Sequence, residues 1–153
     1  MKLKYSFFFL CFFTMSAVIF SQEKKIADLQ ILGQKKTKNS LLKKLITAKK
    51  GTLLDSVVLE KDAIVLKRLS GVRHAYYQVF LNDNNTYNVQ YHIEENFTVV
   101  PEVNIWTTTD NQFSYRIGLY DYNFLGKNIS FGGFYQNNGF HSYAINFKAP
   151  NLF

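Results

Sequence analysis

The sequence predicts an α+β unit of order β-α-α-β-β, followed by about four antiparallel strands of an open, barrel-type sheet. Three observations carry this. Residues 23–96 hold 13 Lys or Arg against 8 Asp or Glu, whereas residues 97–153 hold 3 of each, so composition changes near "EENFTVVPE". In the first part, apolar residues recur first at strand spacing, then at helical spacing, then at strand spacing again. In the second part they alternate throughout, broken only by short turns rich in Gly and Asn.

The start, "MKLKYSFFFLCFFTMSAVIFSQ", sets two lysines ahead of an uncharged run at 7–20. A membrane-crossing helix needs about 20 apolar residues, so the run fits a secretory signal peptide over 1–21, cut after Ser21. An uncleaved anchor is the alternative, because Ile19 is bulkier than the usual small-residue site allows. Cys11, the only cysteine, lies inside this run, so the exported chain has no thiol chemistry.

The first strand is "IADLQILG", with Ala27, Leu29 and Ile31 on one side and Asp28 and Gln30 on the other. "NSLLKKLITAKKG" spaces Leu41, Leu42, Leu45 and Ile46 as a helix. Asn39 or Ser40 is its expected N-cap, Lys49 and Lys50 fall in its expected last turn, and Gly51 is its stop. A second helix fits "DSVVLEKDAIVLKRLSG", capped by Asp55, with Leu59, Ala63 and Leu66 inward and Gly71 as its stop. Two strands follow. "HAYYQVFL" sets Ala75, Tyr77, Val79 and Leu81 against His74, Tyr76, Gln78 and Phe80, and "TYNVQYHIE" sets Tyr87, Val89, Tyr91 and Ile93 against Asn88, Gln90, His92 and Glu94.

After residue 101 four segments alternate: "EVNIWTT", "FSYRIGLYDYN", "ISFGGFYQ" and "FHSYAINFKAP". They approach the 9–11 residues that cross a bilayer as tilted strands. One face carries Phe113, Tyr115, Ile117, Leu119, Ile129, Phe131, Tyr135, Tyr143, Ile145 and Phe147, and the other is small or polar. A wall between lipid and a watery lumen has that composition.

The pattern "IADLQILGQKKTK…KKGTLLD…LSGVRHAYYQVF…YNVQYHIEE" is similar to a POTRA domain, over residues 26–95. The segment "DYNFLGKN" resembles the opening strands of the barrel in the BamA-like outer-membrane assembly and translocation superfamily. The resemblance implies a signal peptide at 1–21, an α+β POTRA domain (β-α-α-β-β) at 22–96, and the first strands of an incomplete transmembrane β-barrel at 97–153. It implies residence in the outer membrane with the POTRA domain in the periplasm. The implied partners are unfolded outer-membrane or secreted client chains, outer-membrane lipid and accessory envelope proteins, with no nucleic acid and no cofactor. Bacterial barrels begin at about eight strands, and open edges in lipid are costly, so the expectation is an N-terminal fragment. The alternative function is a truncated, non-inserting product that acts only as a periplasmic binding module.

Catalysis is not expected. No G-x-S-x-G occurs, and His74, His92 and His141 lack ligand-like spacing. Glu94 and Glu95 are adjacent, hence on opposite faces of a strand, and read as a domain hinge rather than a carboxylate pair. The lysines at 35, 36, 38, 43, 44, 49 and 50 have no interleaved aromatics. They read as a solvated face, with contact to anionic lipid headgroups as a second reading. Sequons at Asn84, Asn96 and Asn128 carry little information in a bacterial setting. The implied client site is the edge strand of the POTRA sheet, through His74, Tyr76, Gln78 and Phe80, where an extended chain would add by β-augmentation. Tyr76 and Phe80 either contribute apolar contacts to a client or pack beneath the helices.

Overall fold

The computed structural model describes residues 24–151. The signal peptide expected at 1–21, with Cys11, lies outside them. The chain runs β1 (Ile26–Leu32), α1 (Asn39–Leu45), α2 (Ser56–Lys67), β2 (Val72–Leu81), β3 (Tyr87–Glu95), β4 (Val99–Thr107), β5 (Phe113–Phe124), β6 (Ile129–Asn137) and β7 (His141–Lys148).

The first three strands form one sheet of order β1-β3-β2, with β1 parallel and β2 antiparallel to the central β3. The alternation of β3 sets its buried face, with Val89, Tyr91 and Ile93 all inward. Both helices cover that face. Leu59, Ala63 and Leu66 of α2, at helical spacing, meet Leu42 of α1 and Ile26, Ile31 and Ala75 of the outer strands in one core. Asp55 caps α2 as expected, its carboxylate accepting the Val57 N–H at 2.8 Å.

The first helix is shorter than its apolar spacing predicts. It ends at Leu45, Lys38 stands at its N-cap without a side-chain bond, and Lys43 and Lys44 occupy its last turn. The reason is a buried carboxylate on the neighbouring helix. Asp62 takes the N–H groups of Thr47 and Ala48 at 2.8 Å each, diverting them from helical carbonyls. Its third donor is the Tyr91 hydroxyl at 3.1 Å. Burial, and then the Asp62 charge, push that hydroxyl well above its usual pKa, so it remains a donor. Gly51, expected to stop the helix, instead occupies a later turn at φ +87°, with its N–H on the Ile26 carbonyl.

The remaining strands form a second sheet, an antiparallel meander of order β4-β5-β6-β7 that is not closed among the described residues. Pro101 lies in β4, an edge strand, where no ladder partner is lost on the outer side. The turns carry left-handed residues at Asn111, Leu125, Gly126, Asn128 and Gly139.

Candidate functional site

The client site expected on the first sheet falls on a strand that is free on one side. β2 pairs with β3 alone, so its outer row of backbone groups has no strand partner among the described residues. His74, Tyr76, Gln78 and Phe80 stand opposite Glu94, His92, Gln90 and Asn88, all on the face turned from the helices. Tyr76 and Phe80 are therefore not core residues, being 40% and 46% exposed; Tyr77 and Tyr91 fill the space beneath the helices. The Tyr76 ring stacks on His92 at 5.0 Å. A groove of about 370 Å³ runs beside the edge, lined by Glu60, Ile64 and Lys67 of α2 and His74, Tyr76 and Tyr77 of β2.

The second sheet has two chemically distinct faces, fixed by register. Cross-strand rows place Pro101, Leu119, Gly133 and Ile145 in line, then Val103, Ile117, Tyr135 and Tyr143. Val103, Ile117, Leu119, Tyr143 and Ile145 on this face are all exposed. Phe131 and Phe147 mark its end nearest the first sheet, and Phe113 and Tyr115 the far end. From Val99 to Thr107 the face rises about 27 Å along the strand. At a barrel tilt of about 40° that is roughly 21 Å, close to a membrane band of about 25 Å. The opposite face holds an ion pair between Arg116 and Glu102 at 3.1 Å, with the guanidinium 3.5 Å from the Phe134 ring centroid. No helix among the described residues is long and apolar enough to cross a membrane, which leaves crossing by strands untouched.

The two sheets meet at a joint that sequence reasoning placed only as a hinge. Three residues separate β3 from β4, and two of them are tied down. The Asn96 N–H donates to the Gly71 carbonyl at 3.0 Å, and the buried Thr98 hydroxyl donates to Asp121 at 2.7 Å. Lys36, from the loop after β1, brings its ammonium to both Asp121 oxygens at 2.9 and 3.0 Å and to the Thr98 hydroxyl at 2.9 Å. Glu95 accepts the N–H groups of Lys36 at 2.7 Å and Thr37 at 2.6 Å. Glu94, its neighbour, is exposed opposite His74 and takes no part in these bonds.

Asn123 is the centre of the joint. A bulge in β5 between Asp121 and Phe124 turns it inward, and it is wholly buried. Its amide donates to the Thr37 hydroxyl at 2.9 Å, and its carbonyl accepts the Asn128 N–H at 2.8 Å. The β5–β6 turn closes on the same loop, with the Lys38 N–H on the Gly126 carbonyl at 2.9 Å. Leu125 and Asn128 in this turn have positive φ, a strain that the surrounding bonds hold in place, while Gly126 adopts positive φ freely. Gly71, expected only to end α2, leaves the room that Asn123 occupies: a Cβ there would overlap the Asn123 amide. Asp121, Asn123 and Gly126 had one sequence signal, the "DYNFLGKN" segment, and Thr37 had only its place in "QKKTK"; all look like ordinary turn formers.

Acid should loosen this joint. Partial burial pushes the Glu95 carboxyl upward, but the Lys36 and Thr37 N–H groups outweigh it and hold its pKa below the usual range. A depressed pKa contributes stability above the unfolded value and loses it as pH falls through the folded value. Amide exchange at Lys36 and Thr37 should therefore accelerate as pH drops below about 4.3, after correction for intrinsic rates. Glu95→Gln should abolish that acid dependence. Its persistence in the variant would assign the effect to another group.

Among the described residues, no three His, Cys, Asp or Glu side chains gather as a metal site. No family model matches the sequence, and no curated protein does either. Solved structures do. BamA from Haemophilus ducreyi lacking POTRA domains 1–3 matches over 85% of this chain and 25% of its own, at a TM-score of 0.71 and 18% identity. CdiB from Acinetobacter baumannii matches over 85% of this chain and 26% of its own, at a TM-score of 0.55 and 15% identity. The chain thus spans about a quarter of either structure. The resemblance expected from the sequence holds in three dimensions: a three-stranded unit with two helices, followed directly by a four-stranded meander, is the fold this chain has in common with BamA and CdiB.

Proposed function

We propose that the chain is part of an outer-membrane component that assembles or translocates proteins. In this reading β4–β7 are the opening wall of a membrane-spanning barrel. The three-stranded unit is a periplasmic POTRA domain, and its β2 edge receives unfolded client chains. One observation carries the reading most strongly. The register of the second sheet places exposed aliphatic and aromatic side chains on one face and the Arg116–Glu102 pair on the other. The likeness to BamA, which spans both sheets, supports joining that wall to the unit before it.

For the client edge, the support is the unpaired side of β2 and the groove beside it. An extended segment would pair with the free backbone groups whatever its sequence, while its side chains met Ile64 and Tyr76 in the groove. A photo-crosslinker placed at Gln78 should capture unfolded outer-membrane protein several times more efficiently than one at Lys43, on α1. Equal yields at the two positions would sink the edge-strand assignment.

A further inference from the structure

Lysines outside the joint come together where the two units adjoin. A groove of about 230 Å³ lies between α1 and the β5–β6 turn, lined by Ser40, Leu41 and Lys44 on one side and Lys127, Ile129 and Asn151 on the other. Lys44 and Lys127 stand 83 residues apart in sequence and come from different units. Both are exposed, and neither takes part in the Lys36–Asp121 or Arg116–Glu102 ion pair. Two lysines lining one groove of mixed apolar and polar walls, with Ser40 and Asn151 beside them, form a receptor for a compact anion carried on an apolar body. Phosphate chemistry suits such point-charge donors.

The position of the groove selects the source of that phosphate. Lys127 is four residues from Phe131, which pairs across to Phe147 at the end of the exposed apolar face. Phe124 packs on Phe131 at 4.9 Å between ring centroids, and Leu125, one residue further along the turn, is 57% exposed. The aromatic border of the lipid-facing band thus ends where the lysines begin. At that level a bilayer passes from hydrocarbon to headgroups, and cations there are drawn to anionic lipid. We propose that the groove between α1 and the β5–β6 turn holds the phosphate of an anionic phospholipid headgroup, gripped by Lys44 and Lys127. The inference rests on the reading of β4–β7 as membrane strands. It adds a lipid contact made jointly by the two units.

The test is partition of the full chain between buffer and two kinds of vesicle, phosphatidylcholine alone and phosphatidylcholine mixed with phosphatidylglycerol. The double variant Lys44→Gln/Lys127→Gln should lose about thirtyfold in partition to the anionic vesicles, the effect of two surface cations, and nothing to the neutral ones. Lys44→Arg/Lys127→Arg should restore most of it. Lys49→Gln/Lys50→Gln changes the same charge beside Gly51 and Ile26, at the end of β1 remote from the joint, and should lose far less. Equal losses in the two glutamine variants would show a general charge effect and overturn the proposal, as would no loss in the first. Inorganic phosphate that erased the anionic preference at matched phosphate and ionic strength would assign the groove to the free ion instead. Failure of the unaltered chain to enter neutral vesicles would count against the membrane reading of the sheet, separately from the lysine comparison.

Discussion

Gly126→Ala is expected to part the two sheets while leaving each intact. Gly126 sits at φ +69°, where a side chain costs about 1–2 kcal/mol. Strain alone is not the larger effect. The added Cβ would overlap the carbonyl oxygen of Lys36, a backbone atom held by its own neighbours on Glu95. The turn must lift, and the Lys38–Gly126 and Asn123–Thr37 bonds go with it, at about 1 kcal/mol or more each. A total of roughly 3–5 kcal/mol should appear as faster amide exchange at Lys38 and Asn128, by at least about a hundredfold. Exchange in the middle of β3 should be unchanged. Gly51→Ala is the control, because φ is +87° there but no atom lies within 4 Å of the new Cβ. If the two substitutions affect Lys38 equally, the close approach at the joint is unimportant.

Ile117→Arg is the second large effect. Ile117 lies in the middle row of the apolar face, between Val103 and Tyr135, and is 53% exposed. If that face meets lipid, arginine there lies near the bilayer midplane and costs about 2–4 kcal/mol. Partition into phosphatidylcholine vesicles should fall by about thirtyfold to several hundredfold. Ser142→Arg introduces the same group on the opposite face, in register with Gln136, where water is available. It should cost less than about 1 kcal/mol, the range for groups in contact with water or the interface. Comparable losses at both sites would mean that the two faces see the same solvent.

The elements were legible wherever a side-chain pattern reports burial directly. The alternation in β3 gave its buried face, the Leu59, Ala63 and Leu66 spacing gave the inward stripe of α2, and Asp55 announced that helix. The two faces of the second sheet were legible because the strand period is two and the register keeps odd residues together. What escaped was set by contacts remote in sequence. The early end of α1 depends on Asp62, whose two backbone bonds reach 14 and 15 residues back. The joint depends on Asn123 meeting Thr37 across 86 residues. Asn, Gly and Asp in a turn have local uses that mask such a distant one. The free edge of β2 was legible only through the resemblance, since a free edge is a property of strand order and not of any residue in β2.

The parallel pairing of β1 with β3 also sets a sequence of events. β1 is made first, yet its partner residues begin at Tyr87, after both helices and β2. The first sheet therefore has a long loop to close, whereas β4 through β7 join by adjacent hairpins. The joint comes later still, because Thr37 must wait for Asn123. As the chain emerges amino-terminus first, the unpaired β1 stays available to other strands longest. Misassembly should therefore begin at Ile26–Leu32 rather than in the meander, whose strands pair with their neighbours in sequence.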